Sequence, residues 1–592
     1  MMPSIKTWRR LGLGFLGLLL LVGLAGFTFR ETLGRMLVYH FTEVYIGEHP
    51  PFLNGGFSVK TQMVEMRDGT HLATHIYTPK GPGPWPTLLV RDAYQFNKYL
   101  TCYYYVRYNY ACVHQDVRGQ GDSEGEWYPL KHETDDGTDT LDWLTKQDFQ
   151  NGKIALVGGS YLGLVQWAVA DRLPGEVKTI VPITAHGDFY DMVYHGGHFT
   201  QGIAGLWSAE IFHPLKDKEK AASQWLETVV PVRPAEDAPR ELFKGAWPSY
   251  ADYIHHPDRQ DAYWHQPFYE QIERSYRSVS VPVLWIARWH DFFLQGTLAR
   301  FDELPTRDSS LLLIRPGQHT GVTGDLNYAN PDFPEFETTL AWFDHYLKGT
   351  PLPAPLQNRV IYYENGADSW KMGDTWPAAD VRPLHLNLDN LSESPTCGGT
   401  LVASPVTTAD EAHYTYDPGN PVPTNGGAFL LNPNIAPSAV SEQGTSACAR
   451  DDVLTFQSEA FEDGLHLSGP LSVDLDVQTD APETAFTVKV SEAFADGRVW
   501  NIRDSLATFT PSGTGAGSLT IDLTPIDWVL SEGSKLRLDI SSSNYPAFPA
   551  HPNTGGIWSE VATPKVARQT LRGGTVTLTV SADSEAVSGP AH

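Results

Sequence analysis

The sequence predicts an α/β domain with a largely parallel sheet, broken by a helical insertion and followed by an all-β domain of the jelly-roll kind. Three observations predict this. Short apolar strand-like runs alternate with helical stretches across residues 56–185 and again across 280–350, a rhythm that belongs to parallel strands covered on both faces. Between them, residues 186–279 are rich in Trp, Tyr and helix formers and lack strand alternation, which reads as a helical cap. Past Gly349, the prolines Pro351, Pro353 and Pro355 mark a linker, and residues 351–583 carry short alternating runs separated by turn residues, the texture of a β-sandwich or jelly roll.

Bulk properties agree with several packed domains. A chain of 592 residues exceeds a single ordinary core. With 41% apolar and 19% charged residues it reads as globular rather than disordered. The formal net charge of −27 repels nucleic acid and anionic lipid, so neither is expected as a partner of the globular part. Cys102, Cys112, Cys397 and Cys448 contain no CxxC zinc spacing. They allow one or two disulfides in an exported chain.

The N-terminal residues 1–30 read as a membrane anchor or a signal peptide. Lys6, Arg9 and Arg10 precede an apolar stretch from Leu11 to Phe29, close to the roughly 20 residues that span a bilayer as a helix. The basic flank stays in the cytoplasm and sends the rest of the chain outward. Gly23 and Ala25 fit a cleaved signal peptide; the length of the apolar run favours an anchor. Membrane contact is expected through this segment alone, with the globular part outside the cytoplasm.

The α/β elements follow in order. Val59–Met66 and Leu72–Thr78 flank the turn Arg67-Asp68-Gly69-Thr70, an Asp-Gly hairpin signal. Thr87–Arg91, Tyr110–Asp116, Ile154–Gly158 and Thr179–Ile183 read as strands three to six, and Val281–Ala287 and Ser310–Arg315 as seven and eight.

The chemistry sits at the ends of these strands. Lys153-Ile-Ala-Leu-Val-Gly-Gly-Ser-Tyr-Leu-Gly163 is a strand, a run of small residues with Ser160, and then a helix. Such a turn exposes a strained serine. The motif departs from G-x-S-x-G, because Leu162 stands two after Ser160 and the glycine arrives at Gly163. Asp291 follows the seventh strand and His319 the eighth, the Ser…Asp…His order of the α/β-hydrolase fold. A serine hydroxyl needs a base to become a nucleophile. His319 can be that base near neutral pH, with Asp291 fixing its tautomer. His290 and Asp302 are neighbouring alternatives. An oxyanion hole needs two donors: the backbone N–H of Tyr161, and one from Arg91-Asp92-Ala93-Tyr94-Gln95, where Tyr94 offers a phenol.

These segments resemble the cocaine esterase and X-Pro dipeptidyl-peptidase family, the CocE/NonD hydrolases. The resemblance is carried by Arg91-Asp-Ala-Tyr94, Gln115-Asp-Val-Arg-Gly-Gln-Gly-Asp-Ser-Glu-Gly125, Gly158-Gly-Ser-Tyr-Leu-Gly163, Trp289-His-Asp-Phe-Phe293, Arg315-Pro-Gly-Gln-His319, Trp342-Phe-Asp-His-Tyr-Leu-Lys-Gly349, Ser543-Asn-Tyr-Pro546 and Asn553-Thr-Gly555. It implies an α/β-hydrolase domain with an inserted helical cap and a C-terminal all-β jelly-roll domain. It further implies Ser160 as nucleophile, Asp291 as acid, His319 as base, and the Tyr94 hydroxyl beside the Tyr161 amide as oxyanion hole. No cofactor or metal is expected.

The reading is a serine hydrolase that cleaves an ester or amide through an acyl-enzyme. Its substrate would be a small ester, a small amide or a short peptide, with Phe189, Tyr190, Trp207 and Phe212 of the cap as candidates for an apolar acyl pocket. An X-Pro dipeptidyl aminopeptidase is the alternative within enzymes. A non-catalytic binding protein on the same fold is the rival from another class. Family members that act on α-amino acid esters resemble this chain but carry an acidic pair just after the triad aspartate; here those positions are Phe293 and Leu294, with Asp188 and Asp191 as the nearest substitutes. The Asp116–Gly125 loop reads as structural, since its glycines do not form G-x-G-x-x-G before a helix.

Overall fold

The computed structural model describes residues 56–582 apart from 95–97, 213–221, 239–247, 322–323, 327, 331, 407–409, 431, 433 and 445–446. The expected anchor or signal segment, residues 1–30, lies outside the described residues. Among those described, no helix is long and apolar enough to cross a membrane.

The α/β domain is built on one ten-stranded sheet. The hairpin of β1 (Phe57–Glu65) and β2 (His71–Pro79) turns at the Asp-Gly pair. Then come β3 (Trp85–Asp92), β4 (Ala111–Asp116), β5 (Gln150–Gly159), β6 (Val177–Ile183), β7 (Leu284–His290) and β8 (Leu311–Gln318). Strands β3 to β8 run parallel to one another, with β4 and β3 exchanged in spatial order, and β4 pairs antiparallel with β2. Every residue of β4 and β7 is buried. A parallel sheet covered on both faces requires this, and it explains why these strands read as continuous rather than alternating runs.

Two strands beyond the proline linker also join this sheet. β9 (Val360–Glu364) pairs parallel to β8, and β10 (Ser369–Gly373) pairs antiparallel to β9. The sheet therefore runs to Gly373 rather than stopping at residue 350. The prolines interrupt the chain without ending the sheet.

The segment between β6 and β7 holds short helices, Tyr190–Val193, Leu206–Phe212, Pro248–His255 and Pro267–Ser275, plus a small hairpin of Tyr194–His195 with His198–Phe199. Its aromatic residues pack on one another. Phe189 and Tyr269 stack at 5.7 Å, and Tyr253 and Trp264 at 6.1 Å.

From Val381 to Ser581 the chain forms a second ten-stranded sheet, curled until its end strands, Val499–Phe509 and Ala516–Leu530, lie side by side. This nearly closed sheet is consistent with the expected all-β jelly-roll domain, and the pairing of its long strands Leu465–Thr479 and Ala567–Ser581 carries irregularities. Such bulges turn one strand around a corner. Two disulfides close loops in the structure: Cys102–Cys112 ties the Lys98–Val106 helix to β4, and Cys397–Cys448 staples the β-domain.

The β-domain is bonded to the α/β sheet through one side chain in particular. Arg503 is buried at 4% exposure. Its Nη2 donates to the carbonyls of Trp289 at 2.6 Å and Pro525 at 3.0 Å, and its Nε donates to Thr524 O at 2.9 Å. Trp289 stands two residues before Asp291. We expect Arg503→Met to leave these buried carbonyls without donors and to cost about 2–4 kcal/mol of stability. Urea unfolding followed by tryptophan fluorescence reads this as an earlier first transition; an unchanged midpoint would mean that water or a neighbour replaces the guanidinium at no cost.

Candidate active site

β5 runs straight into Ser160, and the helix Tyr161–Trp167 starts at the next residue. Ser160 has φ 57° and ψ −124°, a conformation that L-residues avoid. Close packing enforces it. A Cβ on Gly158 would fall 2.4 Å from Leu162 Cβ, and one on Gly163 would fall 2.6 Å from Ala185 Cβ. Helix and strand can approach this closely only with glycine at 163. That explains why the glycine stands three residues after Ser160 here while Leu162 fills the second position.

The other two strand ends deliver the expected partners. Asp291 follows β7 and is 1% exposed. Its Oδ1 accepts the Phe293 N–H at 2.7 Å. Its Oδ2 lies 2.9 Å from His319 Nδ1, and His319 Nε2 lies 2.9 Å from Ser160 Oγ. His319 sits on a tight turn in which Gln318 and Gly321 exchange backbone hydrogen bonds of 2.8 and 3.0 Å. The Phe292 ring lies against its imidazole, centroids 4.6 Å apart. The two alternatives fall away. His290 is buried, and burial first, then Arg503, pushes its imidazole well below the usual range. Asp302 is exposed and pairs with Arg307 at 2.7 Å.

Tyr94 and Tyr161 meet at the serine. Tyr94 Oη is 3.0 Å from Ser160 Oγ. It accepts the Tyr161 backbone N–H at 3.3 Å and Trp207 Nε1–H at 3.4 Å. Both of those are donors, so the phenol hydrogen is left for Ser160. Burial pushes the Tyr94 phenol above its ordinary range, which keeps it protonated at neutral pH. The loop that carries Tyr94 is pinned at Asp92, whose Oδ1 accepts the Tyr94 N–H at 2.7 Å. Arg91 anchors the loop further through Gln115 Oε1 at 2.9 Å and Glu133 Oε2 at 2.9 Å. Glu133 also accepts the Tyr161 phenol at 2.8 Å. A buried ion pair thus fixes both the Tyr94 loop and the first helical residue after Ser160.

These groups line a cavity of about 560 Å³. Leu164, Met192, Ile203 and Trp207 form an apolar side; Arg288, Thr320 and Glu335 stand near His319; Glu210 lies on the cap wall. Of the acyl-pocket candidates in the cap, Trp207 lines the cavity, and the Phe212 side chain lies outside the described residues. Phe189 and Tyr190 instead stack among aromatic residues, Phe189 on Tyr269 and Tyr190 on Tyr194. Asp188 and Asp191 are spoken for: Arg300 Nη2 reaches Asp188 at 2.8 Å, Arg259 Nη1 reaches Asp191 at 3.1 Å, and Arg259 also pairs with Asp188. The Asp116–Gly125 loop is held by its own residues, with the Asp122 N–H on Asp116 Oδ2 at 2.9 Å and Ser123 Oγ on Asp116 O at 2.6 Å. Among the described residues, His75, Asp116 and Asp122, and Glu364, His466 and Asp527, bring metal-ligating atoms near one another. Neither trio lines the cavity. Glu133, Arg288 and Trp207 as a donor to Tyr94 carry no signal in the sequence, because each takes its place only through contacts far along the chain.

Residues 68–321 match the model of the X-Pro dipeptidyl-peptidase S15 family, and residues 356–580 match that of the X-Pro dipeptidyl-peptidase C-terminal non-catalytic domain. The chain is 30% identical over 552 residues to cocaine esterase of Rhodococcus sp. strain MB1 Bresler, covering 85% of this chain and 94% of the esterase. Among solved structures, an α-amino acid ester hydrolase aligns with a TM-score of 0.76 at 22% identity, over 90% of this chain and 99% of that one. An aminopeptidase from a marine sediment Thaumarchaeota archaeon aligns with a TM-score of 0.75 at 20% identity, over 90% and 98%. Identity to cocaine esterase over nearly its whole length, with family matches to both halves of the fold, shows that this chain belongs to the CocE/NonD family of serine hydrolases, whose substrates are esters or peptides.

Proposed function

We propose that Ser160 is the nucleophile of this hydrolase, His319 its base and Asp291 the acid that orients the base. The observation that carries this is the unbroken chain of contacts from Asp291 through His319 to Ser160, each 2.9 Å long. In the first step Ser160 Oγ adds to the carbonyl carbon and its proton passes to His319 Nε2. The carbonyl oxygen becomes an oxyanion that accepts from the fixed Tyr161 N–H and from the Tyr94 O–H, whose hydrogen turns onto it. Collapse breaks the bond to the leaving group, which takes the proton from His319 and leaves an acyl-Ser160. Water, deprotonated by the same imidazole, repeats the sequence and frees the acid.

The apolar side of the cavity favours an uncharged acyl group and an ester or simple amide. Phe293 and Leu294 offer no carboxylate to an ammonium, and Asp188 and Asp191 are already neutralised by Arg259 and Arg300. A charged amine without a counter-ion in such a pocket is poorly solvated. The X-Pro dipeptidyl-peptidase reading keeps one observation in its favour, the Glu210 carboxylate on the cap wall.

Export is part of the proposal. Two disulfides support an oxidising compartment, and the basic-apolar pattern of residues 1–30 supplies the route. In the membrane fraction of cells making the native protein, we expect an intact chain beginning at its first residues. A chain starting near Gly26 would replace the anchor with a signal peptide, and retention in the cytoplasm would contradict export.

Kinetics test the chemistry. On a panel of p-nitrophenyl esters, aminoacyl anilides and X-Pro anilides, we expect the esters to give the highest kcat/KM; preference for X-Pro anilides would reverse the ranking. On the best ester, Tyr94→Phe should lower kcat about 100- to 1000-fold with little change in KM, because the lost donor acts on the transition state. A kcat within about threefold of wild type, far below the usual loss for an oxyanion donor, would make Tyr94 a packing residue.

A further inference from the structure

The cavity at Ser160 has an arginine in its wall, Arg288, that the reaction itself does not use. Arg288 lies on β7, three residues before Asp291, and Arg315 is its direct neighbour in register on β8. Parallel strands in register put two guanidinium side chains side by side. Both are largely buried, at 10% and 18% exposure. They share one carboxylate oxygen, Glu335 Oε2, which accepts from Arg288 Nη2 at 2.6 Å and from Arg315 Nη1 at 3.1 Å. Burial alone would raise the Glu335 carboxyl, but the two arginines outweigh it and hold it below its ordinary range. Glu337 adds its charge to Arg315.

Arg288 Nη2 is spent on Glu335, and its Nε and that of Arg315 are buried without a hydrogen-bond partner among the described residues. Arg288 lines the cavity with His319 and Thr320. A Cβ on Gly321, two residues past His319, would lie 3.7 Å from Arg288 Nη1. This is the side of the cavity on which a leaving group must rest, since His319 hands its proton to the departing atom.

We propose that Arg288 is a specificity-determining residue that binds a carboxylate on the leaving-group side of the substrate. The preferred ester or amide is then one whose alcohol or amine portion is itself an acid, held by the guanidinium while its acyl group occupies the apolar side beside Trp207. The inference rests on the serine hydrolase reading of this cavity. The chemistry suits the residue: a guanidinium presents paired donors that match a carboxylate, and a half-closed site protects the pair from water and salt.

Two esters with the same acyl group test it, 4-acetoxybenzoate and its methyl ester. The readout is the ratio of their kcat/KM values, acid over methyl ester. We expect Arg288→Gln to lower this ratio about 10- to 100-fold, as for a lost hydrogen bond to a charged group. Arg288→Lys should retain part of it. Glu335→Gln, which removes the competing carboxylate, should raise the ratio. A ratio that stays within about twofold in both Arg288→Gln and Glu335→Gln, well short of that loss, would overturn the subsite. Should Arg288→Gln fail to fold, an unchanged ratio in Glu335→Gln overturns it alone. Turnover of the methyl ester with no such dependence defeats the carboxylate subsite and leaves the hydrolase reading standing; turnover of neither ester defeats both.

Discussion

Ser160 is held at φ 57° and ψ −124°, a conformation that costs an L-residue on the order of 1–3 kcal/mol, and the rest of the site is arranged around the packing that keeps it there. Gly158 and Gly163 let the helix press against β5 and β6, and any larger residue at either position would push the helix away. With the helix seated, the Tyr161 N–H and the Ser160 hydroxyl project into the same cavity. The buried Arg91–Glu133 pair then secures both sides of the oxyanion site, binding the Tyr94 loop at one end and the Tyr161 phenol at the other. Leaving either ion alone would place an unpaired charge in the core. Strain at the serine is therefore carried by contacts spread over β3, β5 and the helix Glu133–Leu144.

Asp291 and His319, the proposed acid and base, depend on a different set of contacts, and here the β-domain takes part. Arg503 bonds the carbonyl of Trp289, so the strand end that presents Asp291 is fixed by a residue more than two hundred positions away. Trp289 itself donates to Tyr363 O at 2.5 Å, which ties β7 to the strand beyond the proline linker. Among the described residues the C-terminal part lends Asn432 to the cavity wall, and through Arg503 it braces the segment that carries Asp291. Phe292 does the remaining work at the imidazole, keeping water from one face of His319.

The order of strands was readable in the sequence because β4, β5 and β7 are short, apolar and bounded by turn residues, and counting them placed Ser160, Asp291 and His319 at the ends that the structure brings together. The Asp116–Gly125 loop was also readable as structural, since its glycines follow no phosphate-binding order. Three features were not readable. The strands at Val360 and Ser369 follow a run of prolines that looks like a domain end. The disulfide partners cannot be deduced from four cysteines, because pairing depends on which loops the fold brings within reach. Glu133, Arg288 and Arg503 are single charged residues in ordinary surroundings, and their burial against distant backbone and side chains is decided by tertiary packing alone.

The proposed covalent role of Ser160 is tested most directly by reaction of the purified protein with a fluorophosphonate, followed by mass spectrometry of the intact chain and its peptides. One adduct is expected, on the peptide containing Ser160, and none on Ser160→Ala, whose turnover should fall on the order of a millionfold. An adduct on any other serine, or a Ser160→Ala variant that still labels and turns over an ester, would contradict it.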